Sequence, residues 1–128
     1  MITAILDQRL QVENKVNAFT NLPIAVEFQP DPVLGKLLAD LSPDTPWGDR
    51  KMAAQRLGYM RCQTALPELL AALPGDPFWM VRNAIIQAVV MIGDPDAIPA
   101  LQDVANNDGY QVVRSYAAKA AEKLALKC

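Results

Sequence analysis

Three pairs of opposite charge recur along the 128-residue chain: Asp44 with Arg50, Asp76 with Arg82, and Asp108 with Arg114. A carboxylate and a guanidinium at such spacing can either serve polar catalysis or join elements through charge-assisted hydrogen bonds. Recurrence decides between the two, because the pair returns after 32 residues both times. Catalytic groups seldom repeat in that way. The expected role is a structural ladder, in which each Asp caps the helix after it and each Arg reaches to the neighbouring turn. Trp47 and Trp79 share the position three residues before the arginine, and Gln111 takes it in the third copy. Large amphipathic rings there either pack over the seam between repeats or anchor a partner.

Other chemistry is narrowed by what the chain lacks. Without histidine there is no usual general base, no commonest metal ligand and no His-based triad. Cys62 and Cys128 have no C-x-x-C spacing, so neither a zinc site nor a redox motif is expected, and reduced thiols fit a cytoplasmic compartment. The net charge of −2 and the pI of about 5.0 supply no global field for nucleic acid. Arg50, Lys51, Arg56 and Arg61 make residues 46–61 basic, whereas residues 62–113 carry six acids against Arg82 alone. Asp7 and Arg9 precede any sustained apolar run, so no signal peptide is expected. No stretch approaches the ~20 apolar residues of a membrane span.

The elements that must position these residues read as helices. Residues 3–19 place Ile5, Leu6, Leu10, Val16 and Phe19 roughly on one side, and residues 20–31, with Pro23 and Pro30, read as an irregular connection. Residues 32–41 recover the repeat: Val33, Leu34, Leu37, Leu38 and Leu41 stand 32 positions before Ala65, Leu66, Leu69, Leu70 and Leu73. First-layer helices are expected over residues 46–60, with Met52, Ala53, Leu57 and Met60 inward, over 76–92 and over 110–125. Asp76 should cap the second of these, with Pro77 in its first position. Second-layer helices are expected over 65–73 and 96–105, the latter capped by Asp96, with Gly93 at positive φ between layers. A period of about 30 residues built from helix pairs gives an all-α, right-handed α-solenoid. About three pairs are expected, incomplete at both ends. Residues 1–31 would be a divergent N-terminal helix and connection, residues 32–128 the stack, and the whole a single domain.

The series D-TPWGD-R, D-PFWMV-R and D-GYQVV-R resembles the start of HEAT-type repeats. With the turn I-G-D-P-D-A-I-P-A-L, residues 32–124 are similar to the HEAT-like repeats of the phycobilin lyase group. That group includes the paired E and F type lyase subunits and related phycobilisome-degradation proteins of cyanobacteria. The absence of histidine and the short chain argue for a non-catalytic binding module or adaptor with a protein partner, and the resemblance connects it with phycobiliproteins or the phycobilisome. No catalytic residue, metal or cofactor is then expected. The alternative it implies is a subunit of a bilin lyase or isomerase, which holds an open-chain tetrapyrrole while a phycobiliprotein cysteine adds to it; bilin would then be the bound group.

Solenoids bind partners on the concave wall of second-layer helices, whose solvent-side positions here would include Lys36, Asp40, Glu68, Ala72, Gln102 and Asp103. Trp47, Trp79 and Tyr116 are the aromatic and end-helix candidates. Val112, Val113, Tyr116 and Ala120 of the last helix would be partly uncovered, which suits a homodimer or heterodimer.

Overall fold

The computed structural model describes residues 32–126; the helix expected over 3–19, the connection over 20–31, Lys127 and Cys128 lie outside the described residues. Six α-helices and no strand are found among the described residues: α1 (Pro32–Ala39), α2 (Trp47–Tyr59), α3 (Leu66–Ala72), α4 (Trp79–Ile92), α5 (Ile98–Asn107) and α6 (Gln111–Leu126). Single 3-10 turns at Gln63–Ala65 and Pro95–Ala97 lead into α3 and α5.

The helices form a solenoid. In its first layer α2 packs beside α4 and α4 beside α6, while α3 leans on α4 and α5 on α6. Leu57, Leu69, Leu73, Ile85, Ile86, Leu101 and Leu124 are fully buried in the shared core. Alanines 53, 54, 84, 88, 117 and 120 let the first-layer helices approach closely. At Gly58 the approach is closest to contact of backbones, since a Cβ built there would lie 2.7 Å from the Ala88 Cα.

Three local readings are corrected by the structure. The helix α4 starts at Trp79 rather than at Asp76, because the Asp76 carboxylate accepts from the Phe78 amide at 3.0 Å and closes a turn before the helix begins. Asp108 does the same with the Tyr110 amide at 2.9 Å. Asp94, not Asp96, serves the turn before α5, accepting from the Asp96 amide at 2.9 Å. Met52 and Met60 point outward, 50% and 47% exposed. The inward face of α2 is instead Arg50, Ala53, Ala54, Leu57 and Gly58, because α2 is buried on the side that meets α4.

Gly93 ends α4 at φ 81°, as the sequence predicts. Its equivalent after α2 is Arg61, at φ 49°, a conformation that costs an L-residue roughly 1 kcal/mol. Arg61→Gly is therefore expected to stabilise the fold by about 0.5–1 kcal/mol, read as a higher urea midpoint. Among the described residues no helix is long and apolar enough to cross a membrane.

Candidate functional site

The arginines of the repeat reach forward, not back. Arg50 donates from Nε to Asp76 Oδ2 at 2.8 Å and from Nη2 to Asp76 Oδ1 at 3.1 Å, with both side chains buried. Its Nη1 holds the Thr45 carbonyl of its own turn. Arg82 grips Asp108 in the same bidentate way at 2.7 and 3.0 Å, while its Nη1 donates to the Asp76 carbonyl at 2.6 Å. Each guanidinium thus ties its own turn to the next repeat. Arg114 ends the series, donating to the Asp108 carbonyl at 2.6 Å and to Gln111 Oε1 at 2.7 Å. Asp44 is exposed and does not meet the Arg50 side chain.

Aromatic rings complete each rung. The Arg50 Cζ lies 5.8 Å from the centre of the Phe78 ring and the Arg82 Cζ 5.6 Å from that of Tyr110, within cation–π range. Trp47 meets Phe78 at 5.6 Å between centroids, and Trp79 stacks on Tyr110 at 6.3 Å and 21°. The sequence reasoning missed Phe78 and Tyr110. Their signal was the aromatic two residues after each buried Asp, D-P-F and D-G-Y at the same 32-residue spacing.

Burial by itself would raise the Asp108 carboxyl, but hydrogen bonds from Arg82 and the Tyr110 amide, with the charges of Arg82 and Arg114, outweigh it and hold the carboxyl below its ordinary value of 3.8. A depressed folded-state pKa adds stability that is complete above the unfolded value and lost as pH falls through the folded one. Urea midpoints should therefore decline below about pH 4. Asp108→Asn should flatten part of that decline while lowering stability at neutral pH.

An open trough of about 320 Å³ crosses the three first-layer helices. Lys51 and Gln55 come from α2, Trp79, Asn83 and Gln87 from α4, and Tyr116 from α6. Asn83 Oδ1 is shielded there without a hydrogen-bond partner, a position that rewards an incoming donor. Trp79 and Tyr116 offer flat apolar surface, and Lys51 a positive charge. Of the residues expected to bind a partner, Trp79 and Tyr116 are brought together here. Trp47 lies outside the trough, 39% exposed.

The second-layer candidates sit elsewhere. Lys36 and Asp40 pair with each other at 2.9 Å at the end of α1. Glu68 is exposed and Ala72 half-buried on α3; Gln102 and Asp103 are exposed on α5, where Asp103 accepts from Asn107 at 2.9 Å. Among the described residues no group of three acidic, Cys or His side chains is placed to hold a metal ion. The last helix divides as its periodicity requires: Val113 and Ala120 are buried, Val112 and Tyr116 exposed.

Comparison with known proteins follows the same repeats. Bilin biosynthesis protein PecE of Mastigocladus laminosus is 42% identical over 52 residues, 41% of this chain and 19% of that protein. Phycocyanobilin lyase subunit alpha of Picosynechococcus sp. is 40% identical over 63 residues, 49% of this chain and 23% of that protein. The match thus spans less than a quarter of the length of either relative. No solved structure gives a significant match. The model of HEAT repeats matches residues 32–122, the same stretch in which helix pairs stack on an Asp–Arg ladder, and the chain belongs to the HEAT repeat family.

Proposed function

We propose that the chain is a non-catalytic, cytoplasmic binding module whose partner is a phycobiliprotein. The observation that carries this reading is the similarity of 41% and 49% of the chain to a protein named for bilin biosynthesis and to one named a phycocyanobilin lyase subunit. The geometry supports a docking role. The Asp–Arg ladder joins three helices, and the trough across them sets Trp79 and Tyr116, residue types enriched in binding hot spots, among polar side chains. The wall of Lys36, Asp40, Glu68, Ala72, Gln102 and Asp103 is the competing surface on the same stack.

Purified phycobiliprotein subunits, passed over the immobilised chain, test the reading. Retention by the intact chain is expected. Trp79→Ala should lower affinity at least about tenfold, the effect of losing a hot-spot aromatic, with circular dichroism checking that the helices persist. A triple change of Glu68, Gln102 and Asp103 to lysine should leave binding unchanged if the trough is the site. Loss with the triple change alone moves the site to the second-layer wall, and no retention by the intact chain rejects the partner.

The names of the two relatives also favour a second reading, a subunit that holds an open-chain tetrapyrrole. Trp79 and Tyr116 would then flank the conjugated plane and Asn83 Oδ1 would accept from a pyrrole N–H. A shift in bilin absorbance with new fluorescence on mixing supports that reading; an adaptor leaves the spectrum unchanged.

A further inference from the structure

We propose that the trough across the first layer takes an extended, acidic peptide segment of the partner, laid over α2, α4 and α6 in turn. This rests on the reading of that trough as the docking surface, and not on which protein supplies the segment. Charge selects the sign. Among the described residues Lys51 is the one charged side chain lining the trough, and no acid pairs with it. The helix α4, which supplies most of the lining, carries no acid. On α2 and α6 stand Asp49 and Glu122, but neither lines the trough, and Glu122 lines a separate one between α5 and α6. In the second layer α3 and α5 carry Glu68 and Asp103 with no lysine or arginine. An acidic segment is drawn to one layer of the stack and turned away from the other.

The repeat sets the length and form of the segment. Gln55 and Gln87 hold the same place in successive repeats, and Lys119, exposed on α6, holds it in the third. Packed helices lie about 8–10 Å apart and an extended chain advances about 3.3 Å per residue, so about every third residue of a crossing segment meets one of these side chains. Three helices require about six or seven residues. Glutamine amides both donate and accept, which suits them to the main-chain N–H and C=O groups that an extended segment brings unpaired. Asn83 Oδ1, shielded and without a hydrogen-bond partner, takes a main-chain N–H. Trp79 and Tyr116 cover an apolar side chain of the segment, while Lys51 on α2 and Lys119 on α6 receive its carboxylates. A small molecule is served less well. Small-ligand sites enclose most of the ligand in a cleft, whereas this trough lies open across three helices.

Selection from a random heptapeptide library on the immobilised 128-residue chain tests this. Peptides carrying two or more Asp or Glu beside an apolar residue should be enriched, and a labelled representative should bind with an anisotropy change that weakens as salt rises. Lys51→Glu should lower its affinity about tenfold, and Lys51→Glu with Lys119→Glu should lower it further. That double variant should instead bind the same peptide with its acids replaced by lysine, which the parent should refuse. Neither lysine is in the core, so circular dichroism should show the helices unchanged. Enrichment of basic or neutral peptides, no enrichment, or a double variant that binds the acidic peptide like the parent overturns the proposal. So does a trough that takes phycocyanobilin alone and no peptide. Acidic peptides that bind while phycobiliprotein subunits are not retained support this inference and reject only that partner. Subunits retained by a chain that selects no acidic peptide leave the docking reading standing and sink this one.

Discussion

Arg82→Ala is expected to lower the free energy of unfolding by about 3–5 kcal/mol, the usual consequence of leaving one member of a buried ion pair alone. The Asp108 side chain is 6% exposed with Arg82 in place, so the variant leaves a carboxylate without the partner that compensated its burial. Three further losses accompany it. The Asp76 carbonyl loses its donor, the Tyr110 ring loses the cation beneath it, and the turn between α5 and α6 is no longer tied to the previous repeat. Arg114→Ala is the control, since the same residue type at the same repeat position hydrogen-bonds only a carbonyl and Gln111 and grips no carboxylate. Its cost should be about 1 kcal/mol. In a stack of nearest-neighbour contacts the larger loss also uncouples repeats, so the urea transition of Arg82→Ala should broaden as well as move. Equal costs for the two variants would mean that the ladder does not hold the stack together.

The ladder was half legible before the structure. A recurring Asp and Arg six residues apart announced the repeat and a structural role, because local spacing is written in the chain. The direction of the pairing was not, since the bond from Arg82 to Asp108 depends on how far one repeat is displaced from the next. Asp44 shows the limit from the other side. Its place in the pattern matches Asp76 and Asp108, yet two residues on stands Pro46, which has no N–H to give where Phe78 and Tyr110 donate theirs. The helix bounds moved for the same reason, as the carboxylates close turns ahead of the helices. Helical periodicity also placed Met52 and Met60 inward, because it identifies an apolar stripe without saying whether another helix covers it. The trough was illegible for a different cause. Its lining runs from Lys51 to Tyr116 over three helices, and Lys51, Gln55 and Gln87 taken singly read as ordinary solvated polar positions.

The second large effect is expected at Gly58, where two substitutions on one helix separate propensity from packing. Replacing a helical glycine by alanine normally stabilises by about 0.5–1 kcal/mol. Gly48→Ala in the first turn of α2 should show some of that gain, as nothing lies within 4 Å of the added carbon. Gly58→Ala should go the other way by about 1 kcal/mol, because the new Cβ would meet the Ala88 Cα at 2.7 Å and the Ala88 Cβ at 2.9 Å and overpacking costs typically 1–3 kcal/mol. The nearer of those atoms is backbone, so relief requires α2 and α4 to separate. Gly58→Leu, with three more carbons at the same place, should cost roughly 3 kcal/mol or more. Urea midpoints of the three variants give the comparison, and a Gly58→Ala protein at least as stable as the parent would mean that α2 and α4 do not approach so closely. Separation of this seam also bears on binding. Lys51 and Gln55 face Trp79 and Asn83 across it, so a Gly58→Ala protein that still folds should retain a trough-bound partner less well than Gly48→Ala does, although neither glycine lines the trough.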